Sequence, residues 1–148
     1  MNSPTTTLPN NSKEILFALA KQGFCPIVTQ PERNLAIMKK PDLLFDMLYG
    51  NALVEIKAGS LTGEFGRDEQ ACASYLLKKG VVYFIVSDAH STDFRRPLFS
   101  FGLTCAGKII GKERAKKLVC DNPNAVLKDE PSLLSYQQGI YKKITSLP

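Results

Sequence analysis

The sequence contains no tryptophan and a single histidine, and the single histidine limits the kinds of active site that can be expected. A zinc site or a Ser-His-Asp triad would depend on His90 alone, so both kinds of active site are disfavoured. The four cysteines form no CxxC pair, which predicts reduced thiols and a reducing, cytoplasmic compartment. The longest apolar run, residues 81–86, is too short to cross a membrane, and the polar N-terminus does not resemble a secretory signal.

Composition and charge predict one globular domain with a basic C-terminal part. The chain has 148 residues, of which 44% are hydrophobic and 22% charged, and its formal net charge is +5. Residues 104–148 carry 8 basic and 4 acidic side chains, against 11 and 10 in residues 1–103. An excess of positive charge favours polyanionic partners, including nucleic acids.

Periodicity and turn residues predict alternating helices and strands behind a disordered tail at residues 1–11. A central pair of strands, residues 41–48 and 52–57, is expected to form a hairpin because Tyr49-Gly50-Asn51 is typical of a turn. The other expected strands are residues 24–29, 81–86 and 97–102, residues 58–66 are expected to form a loop, and the expected helices are residues 13–22, 67–79, 111–119 and 132–144.

Charged residues inside this hairpin are the most informative feature of the sequence. A turn at residues 49–50 would place Asp42 opposite Lys57, with Glu55 on the same face of the sheet. A turn one residue later would place Asp46 opposite Glu55, and a three-residue loop would separate the acids. Two carboxylates beside a lysine suit Mg²⁺ and the hydrolysis of a phosphodiester. The alternative is a surface hairpin whose charges are solvated and joined by an Asp42–Lys57 ion pair.

The sequence Pro41-Asp42, followed by Glu55-Ile56-Lys57, resembles the PD-(D/E)xK nuclease superfamily. The resemblance covers residues 12–103 and is greatest to archaeal-type Holliday-junction resolvases and virus-type replication-repair nuclease domains. It implies an α/β, restriction-endonuclease-like core with a mixed central β-sheet flanked by helices. Residues 104–148 would form a basic helical extension packed on the same domain.

The same resemblance implies roles for individual residues. Asp42, Glu55 and the backbone carbonyl of Ile56 would bind Mg²⁺, with Mn²⁺ as a substitute, and Lys57 would position the attacking water. Glu14 would add a carboxylate from the first helix, and Gln70 would orient the site. The catalytic set would be Glu14, Asp42, Glu55, Lys57 and Gln70. Glu14 and Gln70 could instead be ordinary helix residues, Asp46 could replace a metal ligand, and His90 is expected in a solvated loop.

Exposed basic side chains would then contact the phosphate backbone of the substrate. The residues expected to bind nucleic acid are Lys39, Lys40, Arg67, Lys78, Lys112 and Lys116. The alternative is that they form solvated helix faces.

The sequence therefore predicts a Mg²⁺-dependent endodeoxyribonuclease, a hydrolase that cuts branched or structured DNA in repair or recombination. Family analogy implies a homodimer, because cuts on two strands need two sites. The alternatives are an RNA-cutting nuclease, a non-catalytic nucleic-acid-binding subunit on the same scaffold, and a protein that binds another protein.

Overall fold

The computed structural model describes residues 8–48, 52–87 and 96–128. In this part of the chain three short strands form one parallel sheet in the order β1-β2-β3. The strands are β1 (Ile27–Thr29), β2 (Leu53–Lys57) and β3 (Phe84–Val86). Val28 pairs with Val54, and Ile56 pairs with Ile85. Helices connect successive strands, as parallel pairing requires.

Helices account for most of the described residues. Their bounds are α1 (Ser12–Lys21), α2 (Leu35–Lys39), α3 (Asp42–Leu48), α4 (Ala58–Thr62), α5 (Arg67–Lys79), α6 (Arg96–Ile110), α7 (Lys112–Lys116) and α8 (Asn122–Leu127). A 3₁₀ turn, Pro31–Arg33, follows β1, and a π-helical turn, Lys117–Asp121, joins α7 to α8.

The core lies on both faces of the central strand β2. Val54 and Ile56 belong to a large apolar cluster that includes Leu76 of α5. Leu53 belongs to a smaller cluster with Tyr83 and Phe84. Because side chains alternate along a strand, Glu55 and Lys57 project from the same face as Leu53. A strand buried on both faces is typical of parallel sheets.

The predicted hairpin is wrong, because residues 41–48 form a helix. In α3 the buried side chains Leu44, Phe45 and Leu48 follow the spacing of one helix face, and Asp42 lies in the first turn, where the helix dipole favours an acid. The strand β2 pairs in parallel with β1 and β3. The registers that placed Asp42 opposite Lys57, or Asp46 opposite Glu55, therefore do not occur.

The predicted mixed sheet and restriction-endonuclease-like core are also wrong, because the described structure is mostly helical and its small sheet is entirely parallel. The expected edge strand at residues 97–102 lies inside α6, and the expected loop at residues 58–66 begins with α4. A run as short as residues 97–102 fits a helix or a strand, so its apolar residues did not distinguish the two. The helix predicted over residues 67–79 is confirmed as α5.

Helix α6 crosses the expected boundary between residues 103 and 104. It packs closely on α4 at Gly102, where an added Cβ would lie 2.7 Å from both the Cβ and the carbonyl oxygen of Ala58. The basic segment 111–119 is helical, with Ala115 and Leu118 buried against the core. The helix expected at residues 132–144, most of the N-terminal tail, the turn 49–51 and His90 lie outside the described residues.

Candidate functional site

Polar residues gather where β1 and β2 end. The 3₁₀ turn that contains Glu32 and Arg33 begins one residue after Gln30, which itself follows β1, and Lys57 is the last residue of β2. Gln30 has a left-handed backbone (φ 53°), unique among the described residues other than glycine. Open parallel sheets bind their ligands at the carboxyl ends of the strands, and strained backbone concentrates at such sites. This end of the sheet is therefore the candidate site.

The carboxylate of Glu32 joins the end of β1 to the end of β2. Glu32 is 0% exposed. Its Oε1 accepts a hydrogen bond from the backbone N–H of Lys57 at 3.0 Å and another from Oγ of Ser60 at 2.7 Å. Its Oε2 is buried and has no hydrogen-bond partner within the described residues. Burial raises the pKa of Glu32, and the two hydrogen bonds oppose this rise only in part.

Two cationic side chains contact one aromatic ring beside this carboxylate. The guanidinium carbon of Arg33 lies 4.2 Å from the ring centroid of Phe65, and Nζ of Lys57 lies 5.7 Å from the same centroid. Arg33 is 6% exposed and Lys57 is 3% exposed. The electron-rich face of an aromatic ring attracts cations, so Phe65 helps to hold both groups at the end of the sheet.

Glu55 is the second carboxylate near these cations. It is half-buried in β2, and its backbone carbonyl accepts a hydrogen bond from the N–H of Gln30 at 2.8 Å. Burial raises the pKa of Glu55, and the charge of Lys57 opposes the rise. The sequence prediction correctly placed Glu55 and Lys57 on one strand face, although it assigned them to a different kind of sheet.

The other predicted catalytic residues lie on helices. Glu14 is exposed on α1 and Asp42 is exposed on α3. Gln70 donates a hydrogen bond from Nε2 to the carbonyl of Leu61 at 3.0 Å, which ties α5 to α4. Ile56 is fully buried in the core. The metal-binding and catalytic roles predicted for these residues stay predictions, because the described structure does not test them.

The residues predicted to bind nucleic acid are all exposed, and five of the six belong to helices. They are Lys39 on α2, Lys40 just after it, Arg67 and Lys78 on α5, and Lys112 and Lys116 on α7.

Sequence reasoning missed Gln30, Glu32 and Arg33. The sequence predicts residues 30–40 only as a charged connector, in which Lys39 and Lys40 alone were expected to have a role, that of binding nucleic acid. The available signal was the order of residues: an acid and a base stand three and four residues after a predicted strand. That position is a carboxyl end, where binding residues concentrate in parallel sheets.

The described residues form an α/β protein whose parallel sheet carries basic and acidic side chains at its carboxyl end. The family model for capsular polysaccharide synthesis, CpsB/CapC, matches residues 5–128. The chain belongs to this family.

Individual relatives agree with the family model. CapC of Staphylococcus aureus is 38% identical over 88 residues, which cover 60% of this chain and 34% of CapC. The tyrosine-protein phosphatase YwqE of Bacillus subtilis is 32% identical over 92 residues, which cover 62% of this chain and 36% of YwqE. The chain thus spans about a third of the length of these relatives.

A solved structure from work on YwqE of Bacillus subtilis and CpsB of Streptococcus pneumoniae, which are metal-dependent tyrosine phosphatases, is also similar. Its TM-score is 0.77 at 28% sequence identity, and the match covers 86% of this chain and 51% of that chain.

These findings overturn the nuclease interpretation. The PD-(D/E)xK resemblance, the endodeoxyribonuclease activity, the role in DNA repair and the DNA partner are wrong, because the family and its solved member are phosphatases. The homodimer was expected only because a nuclease would cut two strands, so that expectation has lost its basis. The motif misled because two short elements, PD and ExK, can occur together by chance on unrelated folds.

The metal dependence of the solved relatives raises the question of whether these residues fit a metal ion. Among residues 8–48, 52–87 and 96–128, no three His, Cys, Asp or Glu side chains are grouped so that they could hold one. The described residues therefore do not form a metal site by themselves. No helix in this part of the chain combines the length and apolar character needed to cross a bilayer.

Proposed function

We propose that this chain takes part in removing phosphate from phosphotyrosine in proteins. The observation that carries the proposal is the pair Arg33 and Lys57 at the carboxyl ends of β1 and β2, in a chain that belongs to the CpsB/CapC family. The relatives YwqE and CpsB are tyrosine-protein phosphatases. We infer phosphotyrosine as the substrate from the activity of these relatives.

The two cations would supply the electrostatic part of the reaction. Arginine presents parallel N–H donors that match two phosphate oxygens, whereas lysine acts as a compact positive charge. In a site shielded from water, such groups stabilise the charge that spreads over the phosphoryl oxygens in the transition state. Because Arg33 and Lys57 lie almost completely beneath the surface, a phosphate reaches them only if neighbouring side chains move, and the half-buried Phe65 ring, which both cations contact, is the one we expect to turn aside.

Glu32 would act as a positioning residue. Its hydrogen bonds to Lys57 and Ser60 fix the end of β2 relative to the 3₁₀ turn that carries Arg33. The spacing of the two cations therefore depends on one buried carboxyl group.

We infer that the metal requirement of the relatives extends to this protein, with Mg²⁺ or Mn²⁺ as the expected ion. The described residues do not complete a metal site, so the phosphate contacts proposed here involve only Arg33 and Lys57.

We also infer a reducing, cytoplasmic compartment. All four cysteines lie in the described residues and form no disulfide with one another, and Cys72 is buried in the core. Thiols persist where glutathione and thioredoxin keep proteins reduced.

The proposal is tested by measuring phosphate release from a phosphotyrosine peptide with Mg²⁺, with Mn²⁺ and with EDTA. We expect release that depends on metal and falls at least tenfold in Lys57→Met, because one of the two charges on the phosphate is lost. The matched control is Lys78→Met, on an exposed face of α5. Absence of release with either metal, or equal loss in both variants, would show that the chain does not carry this activity at Lys57.

A further inference from the structure

The ring of Phe65 covers the two cations at the end of the sheet. Its centroid lies 4.2 Å from the guanidinium carbon of Arg33 and 5.7 Å from Nζ of Lys57. Phe65 is half-buried, and its neighbours Glu64 and Gly66 are exposed. Arg33 and Lys57 are themselves almost fully buried. The ring therefore lies between the cations and the solvent.

Backbone hydrogen bonds hold the loop that carries this ring. The N–H of Glu64 donates to the carbonyl of Gly59, and the N–H of Gly66 donates to the carbonyl of Gly63, both at 3.1 Å. Gly63 and Gly66 have φ angles of 83° and 119°, which favour glycine. A Cβ added at Gly59 would lie 3.0 Å from Cε2 of Phe65, so the ring rests where α4 has no side chain. Rotation of Phe65 about its side-chain bonds breaks none of these hydrogen bonds, so the ring can move while the loop stays in place.

We propose that Phe65 makes the site specific for aryl phosphates over alkyl phosphates. The inference rests on the proposed phosphatase function and adds to it the residue that recognises the tyrosine ring. The Phe65 ring turns away from Arg33 and Lys57 when the substrate enters, and it then packs against the aromatic ring of the phosphotyrosine.

Uncovering the cations costs the same for every phosphate ester, but only an aryl ester restores an aromatic contact. Phe65 loses its attraction to Arg33 and Lys57 when it turns, and the phosphate takes its place beside them. The ring of a phosphotyrosine can then form an offset-stacked or edge-to-face pair with Phe65. Such a pair favours binding by about two- to tenfold beyond the effect of the apolar area that it buries. A phosphoserine has no ring and therefore lacks this gain.

The burial of the two cations acts in the same direction. Arg33 is 6% exposed and Lys57 is 3% exposed, so a phosphate must pass below the surface to reach them. In phosphotyrosine the ring separates the phosphate from the peptide backbone, whereas in phosphoserine a single methylene group separates them. The longer side chain reaches the cations while its peptide stays at the surface. Reach and ring contact together predict a preference for phosphotyrosine.

The test is equilibrium binding of three peptides that differ at one position, which holds phosphotyrosine, phosphoserine or unphosphorylated tyrosine. EDTA is present so that metal-dependent hydrolysis does not consume the ligand. We expect the wild type to bind the phosphotyrosine peptide at least tenfold more tightly than the phosphoserine peptide. Phe65→Leu keeps an apolar side chain but removes the ring, and it should lower this preference at least threefold. Affinity for the phosphoserine peptide should stay the same or rise, because leucine offers the cations no aromatic face.

Two further variants separate the effect of the ring from a general effect on the fold. Phe65→Tyr keeps a ring and should keep the preference, and Phe17→Leu, which removes an exposed ring from α1, should leave it unchanged. Equal affinity of the wild type for the two phosphopeptides would overturn the role of Phe65. The same conclusion would follow from an unchanged ratio or an equal loss of both affinities in Phe65→Leu, or from loss of the preference in Phe65→Tyr.

The unphosphorylated peptide distinguishes failure of this inference from failure of the proposed function. If both phosphopeptides bind more tightly than the unphosphorylated one but equally to each other, the phosphate site stands and the role of Phe65 is refuted. If all three peptides bind equally, the phosphate site itself is refuted, and the role of Phe65 with it.

Discussion

Replacing Glu32 with alanine should destabilise the protein more than any change at an exposed acid. Two donors would lose their acceptor, the N–H of Lys57 and the hydroxyl of Ser60, and a buried unsatisfied donor costs about 1–3 kcal/mol. Removal of a completely buried side chain also leaves a cavity. We expect the free energy of unfolding to fall by about 3–5 kcal/mol, and Tm by about 10 °C, since one kcal/mol shifts Tm by about 2–4 °C in a domain of this size.

The pH dependence of stability follows from the direction of the pKa shift. Burial raises the pKa of Glu32 above 4.5 in the folded state, so the fold favours the protonated carboxyl group. Its stabilising contribution is complete below the unfolded pKa and is lost as the pH rises through the higher folded pKa. Glu32→Gln keeps a carbonyl oxygen as acceptor and cannot ionise. Stability should therefore fall with rising pH more steeply in the wild type than in Glu32→Gln.

Urea unfolding followed by circular dichroism, at about pH 5 and about pH 8, measures both effects. Glu55, whose pKa is also raised by burial, is present in every variant, so its contribution cancels in the comparison. Glu14→Gln on the exposed face of α1 is the control and should change stability by less than about 0.5 kcal/mol. If Glu32→Gln were as damaging as Glu32→Ala, or the pH slopes were equal, the described role of this carboxyl would be refuted.

Two further predictions concern buried thiols and close helix packing. Burial raises the pKa of Cys72 to about 12, so Cys72 should resist alkylation in the folded protein while the exposed Cys120 reacts, as mass spectrometry of the labelled peptides would show; equal labelling would contradict its burial. Gly102→Ala should lower the free energy of unfolding by about 1–3 kcal/mol, because the new Cβ would lie 2.7 Å from Ala58. The Cβ added by Gly107→Ala would have its nearest neighbour at 3.5 Å, so this substitution should be neutral or slightly stabilising. Thermal unfolding measures both effects. Equal effects of the two glycine substitutions would contradict the α4–α6 packing.

Local signals were sufficient for some elements of the fold and insufficient for others. Helix α5 is bounded by glycines, ends with Gly80 in a left-handed conformation, and carries Asp68 and Glu69 in its first turn. Such signals act within a few residues and can be recognised in a sequence. Residues 41–48 carry only one such signal, Asp42 in the first turn, and a short apolar run fits a helix or a strand equally well. The parallel pairing of β1 with β2 depends on contacts far apart in the chain.

The site was predicted only in the part that lies on one strand. Glu55 and Lys57 share a strand face, and alternation alone predicts that arrangement. Glu32 reaches Lys57 across 25 residues of sequence, and only the register between Thr29 and Glu55 brings them together. The family relationship rests on a match that extends over residues 5–128, much longer than a motif of a few residues.

Equilibrium binding of a phosphotyrosine peptide and of its unphosphorylated counterpart tests the central claim most directly. We predict that the protein binds the phosphorylated peptide at least tenfold more tightly and that Arg33→Met abolishes this difference, because it removes the paired N–H donors. Arg67→Met, which removes an exposed arginine at the start of α5, should leave the difference intact. Equal affinity for the two peptides, or the same loss in Arg67→Met, would contradict a phosphate site at Arg33 and Lys57.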